Sequence, residues 1–88
     1  MKPLLVAAVI AGSLVAASQA NAQSCQALWA ERNSYYKDAG YCFKTARAIA
    51  QFGNAGCQYD NEAAVPLSRA VRARIAEITR IERAYGCN

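Results

Sequence analysis

The run Ser68 to Gly86, SRAVRARIAEITRIERAYG, decides the fold. Set at about 100° per residue, Val71, Ile75, Ile78, Ile81 and Tyr85 fall within an arc of about 120°, the apolar stripe of a helix packed on a core. Pro66-Leu67-Ser68 opens this helix with Ser68 as its N-cap, and Gly86 closes it. On the opposite side Arg69, Arg72, Arg80 and Arg83 share an arc of about 80°, with Ala73 and Ala76 beside them. Such a row is a candidate binding surface for phosphate, lipid headgroups or acidic glycans. The expected reading is plainer: a solvated face whose arginines favour helix and solubility.

Upstream, two more helical signals precede this one. Ser24 is read as the N-cap of a first helix running to about Ala39 with Gly40 as its C-cap. Leu28, Tyr35 and Ala39 fall together on it, with Cys25, Trp29 and Tyr36 adjoining. Thr45 caps a short second helix, Ala46 to Phe52, which Gly53 ends. Gly53 to Val65, GNAGCQYDNEAAV, is rich in glycine, asparagine and aspartate and reads as a loop. No stretch alternates apolar and polar residues for long enough to make a strand. The expected fold is therefore all-α: a small three-helix domain with two longer helices and one short.

Two charges interrupt the apolar faces. Arg32 lies among Leu28, Tyr35 and Tyr36 on helix one, and Glu82 lies among Ile75, Ile78 and Tyr85 on helix three. An unpaired buried charge is very costly, so the simplest expectation is that they meet as a structural ion pair.

The amino terminus reads as an export signal. Lys2 is followed by the uncharged run Leu4 to Ala17, too short for a membrane span of about 20 apolar residues. Ala20-Asn21-Ala22 then offers the small-x-small pattern of a signal-peptidase site. Cleavage after Ala22 makes residues 1–22 a signal peptide and residues 23–88 the mature helical domain. Cys25 lacks the aliphatic neighbour that a lipid-attachment site requires.

A chain this short buries too little surface to be stable without help. All four cysteines, Cys25, Cys42, Cys57 and Cys87, lie in the exported part, and an even count there implies two disulfides. The steps between them, 17, 15 and 30 residues, do not suit a zinc site built from close pairs. Spacing leaves all three connectivities open. The nested pairing, Cys25–Cys87 with Cys42–Cys57, suits antiparallel first and last helices and is preferred; Cys25–Cys57 with Cys42–Cys87 suits an up-down-up bundle.

The catalytic inventory is thin. With no histidine, neither a Ser-His nor a Cys-His nucleophile can be built. The six carboxylates (Glu31, Asp38, Asp60, Glu62, Glu77 and Glu82) show no motif, and Asp60-Asn61-Glu62 lacks the spacing of a calcium loop. No glycine-rich phosphate loop occurs. We expect no enzyme, no cofactor and no metal. The ten Lys/Arg against six Asp/Glu give a net charge of +4, and an exported chain does not point to nucleic acid as a partner.

From Arg32 to Thr45 (RNSYYKDAGYCFKT) the chain resembles the YARHG domain of bacterial exported proteins. Arg32, Asn33, Tyr36, Gly40 and Phe43 match that family's pattern, while Lys37, Asp38 and Ala39 replace the three middle residues of the Tyr-Ala-Arg-His-Gly signature. Downstream, Phe52, Tyr59, Leu67-Ser68, Ile75, Ile78 and Glu82 fit the pattern of an aromatic, a loop and a final Leu-Ser-capped helix. Val71 and Arg74 stand where the family more often has Glu and Asn, and Cys57 stands about where a tryptophan is usual. The resemblance, from Leu28 to Glu82, implies an all-α exported or envelope-associated accessory domain, and it names no ligand. The expected partner is an envelope protein or cell-wall component. A basic peptide acting on membrane surfaces and a small disulfide-framed inhibitor are the alternatives.

Overall fold

The computed structural model describes Ala22 and residues 24–87. It holds three α-helices: α1 over residues 24–38, α2 at Ala46–Phe52 and α3 at Arg69–Ala84. A single 3-10 turn, Glu62–Ala64, lies in the segment expected as loop. No strand occurs among the described residues, only an isolated parallel bridge between Tyr41 and Tyr59. The domain is all-α.

The starts of α2 and α3 and the ends of α1 and α3 each have a local reason. The Ser68 hydroxyl accepts from the Val71 amide at 3.1 Å and opens α3; Thr45 does the same for Ala48 at 3.2 Å and opens α2. The end of α1 is a Schellman turn. Gly40, at φ 93°, donates its N–H to the Lys37 carbonyl, and Tyr41 donates to the Tyr36 carbonyl. The end of α3 repeats it: Gly86 donates to Arg83 and Cys87 to Glu82.

Ser24 departs from the expectation. It is itself helical, as is Ala22, so it does not cap α1, and where that helix begins lies outside the described residues. Apart from Ala22, so does the whole stretch read as a signal peptide. Alanine favours helix more than serine, and Ala22 ahead of Ser24 is already helical.

Helices α1 and α3 lie antiparallel, fixed at one end by Cys25–Cys87 and along their length by ion pairs. The apolar core is small. Among the described residues, Phe43, Ala48, Val65 and Ile78 are the buried hydrophobics, and Ile78 is fully enclosed. Tyr85, expected on the core face, is 49% exposed. The turn at Gly86 folds Cys87, rather than Tyr85, back against α1.

Five aromatic rings run in contact from α1 through α2 to the connecting segment. Trp29 meets Phe52 at 5.9 Å, Phe52 stacks on Phe43 at 5.3 Å, Phe43 meets Tyr41 edge-on at 5.3 Å, and Tyr41 meets Tyr36 at 5.7 Å. The last contact also spans the Schellman turn, the apolar clasp such turns commonly carry. Arg47 lies over Trp29 at 3.7 Å and closes the row.

Candidate functional site

The two charges that interrupt the apolar stripes are brought together. Arg32 grips Glu82 with two parallel bonds, Nε to Oε1 at 2.8 Å and Nη2 to Oε2 at 3.1 Å. This fork-to-fork geometry fixes how α1 and α3 register. Glu82 is the one buried charged residue among those described.

A second pair of the opposite sense lies alongside. Glu31 of α1 accepts from Arg74 Nε at 2.7 Å and Nη2 at 2.8 Å, and Arg74 also contacts Glu77. The Tyr35 hydroxyl donates to the same Glu31 carboxylate at 2.7 Å. Hydrogen bonds from Arg74 and then Tyr35 lower the Glu31 pKa to about 2. Donating to that carboxylate raises the Tyr35 pKa, and burial followed by neighbouring Glu62 raises that of Tyr36. The sequence reading did not foresee this cluster. A signal was present: Arg74 sits only about 40° from Ile78 around α3, between Ile81 and Tyr85 inside the apolar arc and outside the basic row.

The cysteines form the nested set, Cys25–Cys87 and Cys42–Cys57, with Cα–Cα separations of 5.5 and 5.1 Å. The short disulfide belongs to a larger clamp. Gln58 and Tyr59 both donate to the Gly40 carbonyl, and Cys42 donates to the Tyr59 carbonyl at 2.8 Å. Asn54 reads the Phe43 backbone in both directions, accepting from its N–H at 2.7 Å and donating to its carbonyl at 3.0 Å. The loop residues 53–65 are thus sewn onto residues 40–43, the segment that joins α1 to α2.

The four arginines of the basic row are all exposed, but they are not equivalent. Arg72 donates to the Leu67 carbonyl at 3.2 Å and reaches that of Val65 at 3.5 Å, bracing the entry to α3. Arg80 lies 3.9 Å from Glu77. Arg69 and Arg83 have no ion pair among the described residues.

One cavity of about 220 Å³ opens where the last turn of α1 meets the first turn of α3. Tyr35, Asp38 and Ala39 line it from α1, and Pro66, Leu67 and Val71 from the other side, with Ser68 at the edge. No group of three metal-ligating side chains occurs among the described residues.

What these features define is a small helical scaffold whose cysteines, with two ion pairs between α1 and α3, hold its elements in register. The family model of the YARHG domain matches residues 4–83, and the chain belongs to that family. The match starts inside the segment 1–22. This is a small extracellular-type domain without an assigned activity, typical of exported proteins, and the two disulfides fit an oxidising compartment. Neither the curated proteins nor the solved structures yield a match to this chain. The residues that carry the resemblance are structural here: Arg32 in the ion pair, Asn33 donating to the Trp29 carbonyl at 2.9 Å, Tyr36 and Gly40 in the α1 turn, and Phe43 in the core.

Proposed function

We propose that the domain is a non-enzymatic binding or accessory module of the periplasm or cell envelope, exported by cleavage after Ala22, whose partner is an envelope protein or wall component. One observation carries this reading. The groups that do chemistry elsewhere, thiols and paired carboxylates, are engaged here in the scaffold, whereas a pocket and an arginine row stay open to solvent. A tagged mature protein incubated with envelope extract and cross-linked should retain a discrete partner through high-salt washing. Recovery of nothing above a scrambled-disulfide control would contradict the reading.

The row of Arg69, Arg72, Arg80 and Arg83 supports a second reading, adhesion to anionic lipid. Bracing by Arg72 and the Arg80–Glu77 proximity favour the plainer one, a solvated face. Sedimentation with anionic vesicles at low and high salt separates the two, and we expect no co-sedimentation. An inhibitor would need a protruding loop. Residues 53–65, the candidate, are held by Cys57, Asn54 and Tyr59, which speaks for a scaffold.

A further inference from the structure

The chain has six carboxylates, and all lie among the described residues. Four take part in ion pairs: Glu31 and Glu77 with Arg74, Asp60 with Lys44, and Glu82 with Arg32. Glu62 lies beside the Tyr36 phenol. Like Glu62, Asp38 makes no ion pair or side-chain hydrogen bond among the described residues; unlike Glu62 it lines the cavity between α1 and α3, and it is exposed there.

Its placement also breaks a local rule. Asp38 ends α1, where the helix dipole makes the terminus negative and a cation is the favoured neighbour. No ion pair among the described residues engages Asp38. Lys37 next to it turns away to the Gly53 carbonyl at 3.4 Å. Local rules broken without compensation inside a fold tend to mark function.

The rest of the cavity supplies the complement. Its walls are the Tyr35 ring, Ala39, Pro66, Leu67 and Val71. An apolar wall ending at a carboxylate suits a run of methylenes ending in a cation, because lysine and arginine bury their stems and keep the charged head at a polar rim. The volume, about 220 Å³, lies below the roughly 300–1,000 Å³ usual for small-molecule sites. One side chain of a partner fits that scale better than a cofactor. Repulsion from the basic row is limited, since Arg69 lies about 160° around α3 from Val71. Arg72 is committed to the Leu67 and Val65 carbonyls.

We propose that this cavity is the docking site for a lysine or arginine side chain of a partner polypeptide, its stem against Leu67 and Val71 and its head on Asp38. The proposal rests on the binding-module reading and gives it a recognition chemistry. The test is a titration of the isotope-labelled, oxidised protein with Nα-acetyl-lysine amide, followed through backbone amide shifts. Nα-acetyl-norleucine amide serves as the uncharged control and Nα-acetyl-glutamate amide as the acidic one. Saturable shifts at Ala39, Leu67 and Val71, with lysine preferred over norleucine by about ten-fold, are expected. Asp38→Asn should abolish that preference while remaining at least as thermally stable as the parent, since it removes a charge the helix end disfavours. Equal binding of lysine and norleucine, preference for glutamate, shifts confined to the basic row, or an unchanged preference in Asp38→Asn would each overturn it. A partner pulled from envelope extract equally well by the parent and by Asp38→Asn would also overturn it, and would leave the binding-module reading standing.

Discussion

Arg32 and Glu82 were legible because each stood where an apolar residue belonged, and a charge on a core stripe asks for a partner. Their exposures set an asymmetry the sequence could not supply. The Glu82 side chain is 11% exposed and that of Arg32 27%. Arg32→Ala therefore strands the drier charge and should cost about 3–5 kcal/mol, whereas Glu82→Ala leaves a guanidinium that water reaches and should cost about 1–3 kcal/mol. Denaturant melts of both single variants and the double one check this, and the double variant should lose less than the sum. The Glu31–Arg74 pair was only half legible: Arg74 interrupts the apolar arc of α3 as Glu82 does, but Glu31 lies outside that of α1, where a charge is ordinary. Their pairing makes a pH prediction. Because the folded Glu31 pKa falls from 4.5 to about 2, its contribution is complete above pH 4.5 and is lost as pH drops from there toward 2. Relative to the parent, Glu31→Gln should show a shallower loss of stability across that window; parallel curves would remove the pair from the account. Asn54 was hidden for another reason. Its two bonds to Phe43 cross 11 residues of chain and exist only once the loop has its shape.

At the scale of elements, starts and stops were read from single residues wherever a cap chemistry is local. Ser68, Thr45, Gly40, Gly53 and Gly86 do what their types suggest. Ser24 failed because it is itself helical, as is Ala22 before it. The two Schellman glycines differ in their surroundings, which separates two otherwise similar variants. A Cβ on Gly86 meets nothing within 4 Å, whereas one on Gly40 lies 3.4 Å from the Tyr59 ring. Gly86→Ala should cost about 1–2 kcal/mol, the ordinary strain of a left-handed non-glycine residue. Gly40→Ala should cost more, because it also presses on the clamp that holds Tyr59 and the Cys42–Cys57 loop. Thermal melts of the two variants, with Gly86→Ala the milder, are the expected result.

At the scale of the molecule, the four buried hydrophobics among the described residues make a core too small to hold three helices unaided, and covalent closure replaces the missing burial. Closing the 15-residue loop is worth about 3 kcal/mol and the 62-residue one about 4 kcal/mol by chain entropy. Together they match the order of a small domain's entire stability, about 5–15 kcal/mol. The need for two disulfides was therefore legible in length and cysteine count. The choice among pairings waited on the antiparallel packing of α1 on α3, which no spacing encodes. The partner was not legible at all, because the residues that identify the family are those that build its frame. Peptide-mapped mass spectrometry of the exported, native protein tests the central claim most directly. The account predicts Gln23 at the amino terminus, a mass four hydrogens below the all-thiol form, and linked peptides joining Cys25 to Cys87 and Cys42 to Cys57. A retained leader, a free thiol, or a peptide joining Cys25 to Cys57 would contradict it.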